Sequence, residues 1–332
     1  LIDFIERQYS PRARDTHGFR FQNEGDVLYS NELFRHFGEP VNPEEVYRRG
    51  LQAVAELEAC MQELVLRYGL QDSESRIFSS GAEALGVYRQ TQMEVEMHLP
   101  KLFEHIPSIR CEIREVESYK AEQAPSAYYM SGNLKNDPPG IFFLNTYNLK
   151  RNPRNRARTL YLHEANPGHH FQISWMKERE HDLGVYRSRH CFNGVHAEGW
   201  ALYAEHLGIE MGLYEDPEQL LGHYRDQMLR AARLVVDTGL HHLGWTREEA
   251  MNYFQGKVGV DASESRAEIE RYMVWPGQAL TYYCGFSDFL DLRKTAQALP
   301  GFDLKKFHSQ VLNLGSVPMS LLKQEILKGS TL

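Results

Sequence analysis

Apolar side chains recur at steps of three and four along most of the chain, which is the period of helices buried on one side. The clearest run is Val46, Tyr47, Leu51, Val54, Leu57, Met61, Leu64 and Tyr68. Asn42-Pro43-Glu44-Glu45 supplies a cap, a first-turn proline and acids at the positive end of the dipole, and Gly69 supplies the stop. A second helical stretch covers 81–97 and is expected to end before Pro100. Prolines at 100, 107, 125, 138 and 139 break up residues 100–140, predicting loops and short strands. Gly140-Ile-Phe-Phe-Leu-Asn145-Thr146 alternates with neither helical nor polar period, so a short strand is expected there. Such a strand is either buried or an edge whose free backbone pairs with an extended peptide. In the second case Phe143 and Asn145 face the substrate. Helices are then expected at about 156–165, 167–181, 190–212, 217–240, 246–255, 264–274, 277–297 and 303–313. Thr246-Arg-Glu-Glu249 reads as a capping box.

The bulk numbers narrow the class. The 332 residues, 42% apolar and 25% charged, can bury a large core, and the net charge of −8 disfavours nucleic acid as a partner. Cys60, Cys111, Cys191 and Cys284 lie far apart without a CxxC pair, so they are expected to be mostly buried thiols. No apolar run approaches the roughly 20 residues of a membrane span. The chain starts at Leu1, which suggests an excerpt or a processed product. The absence of an N-x-S/T acceptor leans toward a soluble, intracellular location. Residues 1–40 read as a partly extended N-terminal segment and 41–332 as one helical catalytic domain.

The chemistry concentrates in Tyr161-Leu-His-Glu-Ala-Asn-Pro-Gly-His-His-Phe-Gln172. A usual zinc-peptidase helix is HExxH, with two histidines on one face and the glutamate as general base. Here His163-Glu164 opens correctly, but position i+4 is Pro167 and the histidines follow at 169 and 170. On an unbroken helix, i+7 lies roughly 10 Å along the axis, too far to share one ion. The helix must therefore deform at Asn166-Pro167-Gly168. Asn166 is expected to cap a new helix with Pro167 at its first turn, and His169 becomes the second ligand. His170 stays open as the alternative. A catalytic zinc takes three protein ligands and keeps a fourth position for water. Glu198, beside Gly199 on the following helix, is the third candidate, and Glu205, seven residues on, is placed behind a ligand histidine.

Four segments carry a family resemblance: HEANPGHHFQ (163–172), HAEGWALYAE (196–205), RAARLVVDTGLHHLGW (230–245) and ERYMVWPGQALTYYCG (270–285). This series resembles the domain-of-unknown-function 885 family, which looks like a divergent branch of the gluzincin metallopeptidases. The resemblance implies a mainly α, zinc-metallopeptidase-like helical fold with a deep cleft and a small β-sheet beside the metal helix. It further implies one Zn2+ per chain held by His163, the 169/170 pair and Glu198, Glu164 as base, and short peptides as substrate. Members of that family usually carry a further N-terminal lobe, so one cleft wall is expected to be missing or supplied by a second chain.

The expected reaction is peptide-bond hydrolysis by metal-activated water, with Glu164 moving the proton. Tyr282 is the first choice to face the oxyanion, with Tyr283, Arg271 and Tyr272 behind it. Arg271 is also suited to bind a substrate carboxylate through its two-pronged guanidinium, and Tyr272 and Tyr283 are candidates for substrate contact. Arg233, Asp237 and His241 fall four apart, as either an intrahelical ion ladder or support for the metal. Two rival readings are a di-iron carboxylate bundle, whose Glu-x-x-His pairs are missing here, and a non-catalytic or metal-binding module that keeps the fold and assembles with another chain.

Overall fold

The computed structural model describes residues 1–71 and 77–328. The amino end forms short turns, including α1 (Ile2–Phe4), and then α2 (Gly25–Phe37). The expectation of a partly extended segment is corrected by α2, because Tyr29, Leu33 and Phe37 repeat at helical spacing and enter the main core. α3 (Pro43–Tyr68) carries its predicted Asn42 cap, which accepts from the Glu44 amide at 3.0 Å, and ends on Gly69 in the left-handed region. α4 (Gly81–Leu102) runs past Pro100. Leu99 and Leu102 both pack into the core there, and their burial offsets the ladder bond that proline forfeits.

A three-stranded sheet follows: β1 (Cys111–Glu115), a short turn α5 (Ser118–Ala121), β2 (Ala127–Met130) and β3 (Gly140–Leu144). The strand order is β1-β3-β2, parallel between β1 and β3 and antiparallel between β2 and β3. β3 is thus the central strand, buried along its whole length, and the edge reading is corrected: its backbone is already paired on both sides. Phe143 stacks on Tyr128 in a small cluster with Val116, Ala121 and Ile141. The Asn145 amide donates to the carbonyls of Ala121, Ala124 and Pro125, and its oxygen accepts from the Tyr147 amide, so it ties a loop rather than a substrate.

The remaining helices are α6 (Ala157–Glu164), α7 (His169–Glu178), α8 (Glu180–Arg189), α9 (Gly194–Glu210), α10 (Pro217–Thr238), α11 (Arg247–Val258), α12 (Ala262–Val274), α13 (Thr281–Gln297), α14 (Leu304–Asn313) and α15 (Met319–Lys328). The capping box at Thr246 is formed in both directions. α8 and α15 lie outside the predicted helices: α8 is polar with Gly184 inside it, and α15 follows Pro318, which starts a helix as readily as it ends one.

α9 is buried on nearly every face and sits at the centre, carrying Glu198 and Glu205 among mostly apolar side chains. It crosses α13 at a glycine pair. A Cβ on Gly199 would stand 2.5 Å from Gly285 backbone carbon, and one on Gly285 would stand 2.0 Å from the Val195 carbonyl oxygen. A second core joins α3 and α10 with α11 and α12 around Val54, Leu57, Val236, Phe254 and Ile269. No described helix is long and apolar enough to cross a membrane. The cysteines are all free, but only Cys284 is fully buried; Cys60 lies on the exposed side of α3, which corrects the expectation of mostly buried thiols.

Candidate metal centre

The helix carrying His163-Glu164 does stop before the second histidine. α6 ends at Glu164, Ala165 leaves the helical region, and α7 begins at His169. Asn166 is not the cap that the sequence suggests: Gly168 occupies that position and no side chain caps the helix. The reason is space. A Cβ on Gly168 would lie 2.0 Å from the His163 carbonyl oxygen and 2.3 Å from that of Leu162, so residue 168 rests directly on the last turn of α6. The Trp200 indole on α9 donates to the Pro167 carbonyl at 2.8 Å and holds the crossover down.

This crossover turns the two imidazoles toward each other, with ring centroids 4.8 Å apart at 84°. Glu198, on the first turns of α9, brings Oε2 to 3.5 Å from His163 Nε2 and 3.4 Å from His169 Nε2. One ligand atom from each of the three residues lies within 4.8 Å of the others, the spacing of donors around one ion. Among the described residues this is the one grouping of its kind. The His163 side chain is 6% exposed, whereas His169 is 16% and Glu198 15% exposed, so the group is recessed and reachable from one side.

Glu198 Oε2 is buried and makes no hydrogen bond with the protein. An orphaned carboxylate oxygen between two imidazole nitrogens fits a cation. Burial alone would raise the Glu198 pKa, but His169 and His163 hold it well below the usual carboxylate range. Burial likewise works to lower His163, yet its contact with Glu198 and its hydrogen bond to Glu205, with the nearby charges of Glu205 and Glu164, raise it to about 10. Negative charge thus outweighs desolvation and draws positive charge to this point.

Glu205 sits behind the ligand, as its spacing suggests. The His163 Nδ1–H donates to its Oε1 at 2.7 Å, which leaves Nε2 facing Glu198 and His169. Glu205 is fully buried and is backed by Arg230 at 3.5 Å; Arg230 contacts Asp226 at 3.2 Å, and Asp226 pairs with Arg156. These last three residues escape the sequence reading, although the Asp226-x-x-x-Arg230 spacing signals an ion pair on one helix face.

His170 is removed from the ligand set. Its Nδ1 contacts the Tyr129 hydroxyl at 2.9 Å, and its Nε2–H donates to the Ile109 carbonyl at 3.0 Å. A Cβ on Gly140 would stand 2.6 Å from His170 Nδ1, so the sheet leaves room for this ring. One member of the histidine pair faces the triad and the other straps α7 to the sheet.

Tyr282 starts α13 beside the amino end of α9, where the glycine crossing brings the two helices together. Burial raises its pKa first, and the charge of Glu198 raises it further, which places the phenol within electrostatic reach of the triad. Its ring carries Arg233 at 4.7 Å and its hydroxyl accepts from Gln278 at 3.4 Å. Arg271 is near, donating to Gln278 Oε1 at 2.8 Å. Tyr272 is buried, bonded to Glu268 and Arg233, and so supports the cluster from behind. Tyr283 does not join it: the ring packs on Phe286 and feels Glu56 and Arg49, on the α3 side.

The ladder of Arg233, Asp237 and His241 is absent. Arg233 pairs with Glu268 at 3.0 Å. Asp237 accepts from the Tyr29 hydroxyl at 2.6 Å and the Gly277 amide at 3.1 Å. His241 accepts from the Phe19 amide and donates to the Tyr272 carbonyl. Arg233 and His241 both turn to α12, while Asp237 turns to Tyr29 and Gly277, so Asp237 and His241 anchor the amino-terminal residues and the Pro276-Gly277 corner instead of the metal ligands. His196, two residues before Glu198, donates from Nδ1 to the Val317 carbonyl at 3.1 Å.

Comparison with known proteins agrees with this architecture and is silent on activity. Nothing among curated proteins matches the chain. Solved structures similar to the chain include two that are each described as a "putative lipoprotein". One, from Colwellia psychrerythraea, is 34% identical with a TM-score of 0.91 and covers 96% of this chain. The other, from Shewanella oneidensis and described as of unknown function, is 19% identical with a TM-score of 0.79 and covers 98%, a likeness of fold. The chain spans 57% and 62% of their respective lengths. They lend no support to an intracellular location. The model of a bacterial protein family of unknown function matches residues 1–326, and the chain belongs to that family, DUF885.

Proposed function

We propose that the protein is a zinc-dependent hydrolase of peptide bonds in short peptides. The observation that carries the reading is the convergence of His163, His169 and Glu198 around a buried carboxylate oxygen that accepts no hydrogen bond. Two imidazoles, one carboxylate and an open side are the donor set of a catalytic rather than a structural zinc. Zinc, when bound, supplies the Lewis acidity that activates a water and polarises a carbonyl oxygen.

The chain's own groups do the rest. Glu205 fixes the His163 tautomer, so that Nε2 is the free donor. Glu164, the residue after that ligand, takes the proton of the attacking water and delivers it to the leaving nitrogen. Tyr282 donates its phenolic proton as a hydrogen bond to the developing oxyanion. A phenol is protonated at neutral pH, and burial followed by the Glu198 charge moves this one further from ionisation.

Metal analysis of the purified protein, followed by cleavage of a mixed peptide library with and without chelator, tests the proposal. One zinc per chain and chelator-sensitive cleavage are expected. A protein that takes up zinc and leaves every peptide intact would instead fit a metal-binding module that assembles with another chain.

A further inference from the structure

Beside the triad lies a cluster in which guanidinium groups outnumber the carboxylate bonded to them. Arg233 and Arg271 share Glu268, at 3.0 and 3.5 Å. Arg233 is spent: it also donates to the Tyr272 hydroxyl at 3.0 Å and lies over the Tyr282 ring. Arg271 is not. Among the described residues its side-chain contacts are Gln278 at 2.8 Å, the long approach to Glu268 and the face of Tyr272 at 5.0 Å. A guanidinium offers five N–H donors, and this side chain remains 29% exposed. Asp237, whose charge Arg271 also feels, is bonded to the Tyr29 hydroxyl and the Gly277 amide.

Position gives this free fork a meaning. The Gln278 amide accepts from Arg271 through its oxygen and donates to the Tyr282 hydroxyl through its nitrogen, and Tyr282 is within reach of the Glu198 charge. Arg271 is therefore tied through Gln278 to Tyr282, at the end of α13 whose Gly285 backbone meets Gly199 beside Glu198. A peptide without acidic side chains has one anionic group, its terminal carboxylate. A fixed guanidinium beside the reacting centre measures the distance from the cut bond to that end.

Resting on the peptidase reading above, we propose that Arg271, braced by Gln278 and Glu268, anchors the free α-carboxylate of the substrate, and that the protein trims short peptides from their carboxyl end. Arg271 binds and positions the substrate; it takes no part in proton transfer. Glu268 holds the fork in plane, and Gln278 couples it to Tyr282.

The test uses zinc-loaded protein and three matched short peptides: a free acid ending in alanine, its carboxamide, and a carboxamide ending in aspartate. The acid should be cleaved with kcat/KM at least tenfold above the alanine amide, mostly through KM. In Arg271→Ala this preference should collapse toward unity, a loss of roughly 10- to 100-fold on the acid, as expected for a charged hydrogen-bonded pair. Arg271→Lys should restore part of it, and both variants should keep the parent's thermal midpoint and zinc content. Equal cleavage of acid and alanine amide by the parent would overturn the anchor and leave the peptidase reading standing. An aspartate amide as good as the acid would overturn recognition of the α-carboxylate in favour of side-chain recognition. Zinc-loaded protein that cleaves none of the three would overturn both proposals.

Discussion

Adding one methyl group to the crossover should separate the two histidines. In Gly168→Ala the new Cβ would lie 2.0 Å from the His163 carbonyl oxygen and 2.3 Å from that of Leu162, and both obstacles are backbone. An ordinary carbon–oxygen contact is about 3.3 Å or longer, so α6 and α7 must part by more than about 1 Å. Overpacking of this kind costs about 1–3 kcal/mol, or roughly 1–4 °C of thermal midpoint in a chain this long. The larger effect falls on metal binding, because ligand distances tolerate only about 0.2 Å. Zinc affinity should fall at least tenfold while the helical circular dichroism is retained. Gly86→Ala is the internal control. Gly86 lies on the exposed side of α4 with nothing near its missing Cβ, and alanine there should stabilise by roughly 0.5–1 kcal/mol with unchanged zinc affinity. Thermal denaturation and competitive zinc titration of both variants give the comparison. If Gly168→Ala melts and binds zinc like the parent, the packing of residue 168 on α6 is not what brings His163 and His169 together.

Three further outcomes are expected. Glu164→Gln should keep one zinc by elemental analysis and lose peptide turnover by 100-fold or more; comparable turnover would reassign the base. Glu205→Gln should weaken zinc binding roughly 10- to 100-fold, read by competition with a chromogenic chelator, because His163 loses the carboxylate that fixes its tautomer. His308 is kept neutral: burial pushes its pKa down to about 4, with Nδ1–H bonded to the Leu102 carbonyl and Nε2 accepting from Tyr203. The unfolded chain binds that proton near pH 6.5 and the folded chain does not, so stability falls as pH drops from about 6.5 through 4. Between pH 6.5 and 5 this contributes about 2 kcal/mol; burial lowers His170, His196 and His223 in the same way, so urea denaturation should show a loss in His308→Phe that is smaller than the parent's by about that amount.

The helical layout and the metal triad were legible because their signals are local. Caps at Asn42 and Thr246, the stop at Gly69 and the broken His163…His169 spacing each involve residues that are neighbours in the chain. Gly199 was legible for the same reason: a residue without a side chain beside a candidate ligand announces a close approach, and the Gly285 backbone is what approaches. What remained hidden depends on partners far away in sequence. Nothing near His170 reveals that Tyr129 and Ile109 will occupy both of its nitrogens. Arg233 and Asp237 look like an ion pair until Glu268 and Tyr29 claim them. The strand at 140–144 was visible, but its central place in the sheet was set by β1 and β2, whose short sequences say little about their order.

The glycine crossing of α9 and α13 also limits how this centre can change over time. Glu198 and Tyr282 ride on two rods that touch main chain to main chain, so no rotamer between them can absorb a shift. Any drift of one rod is passed undiminished to the other. Variation that retunes this centre is therefore channelled away from this contact and into side chains such as Gln278 and Arg271, which meet through a single hydrogen bond where α12 hands over to α13.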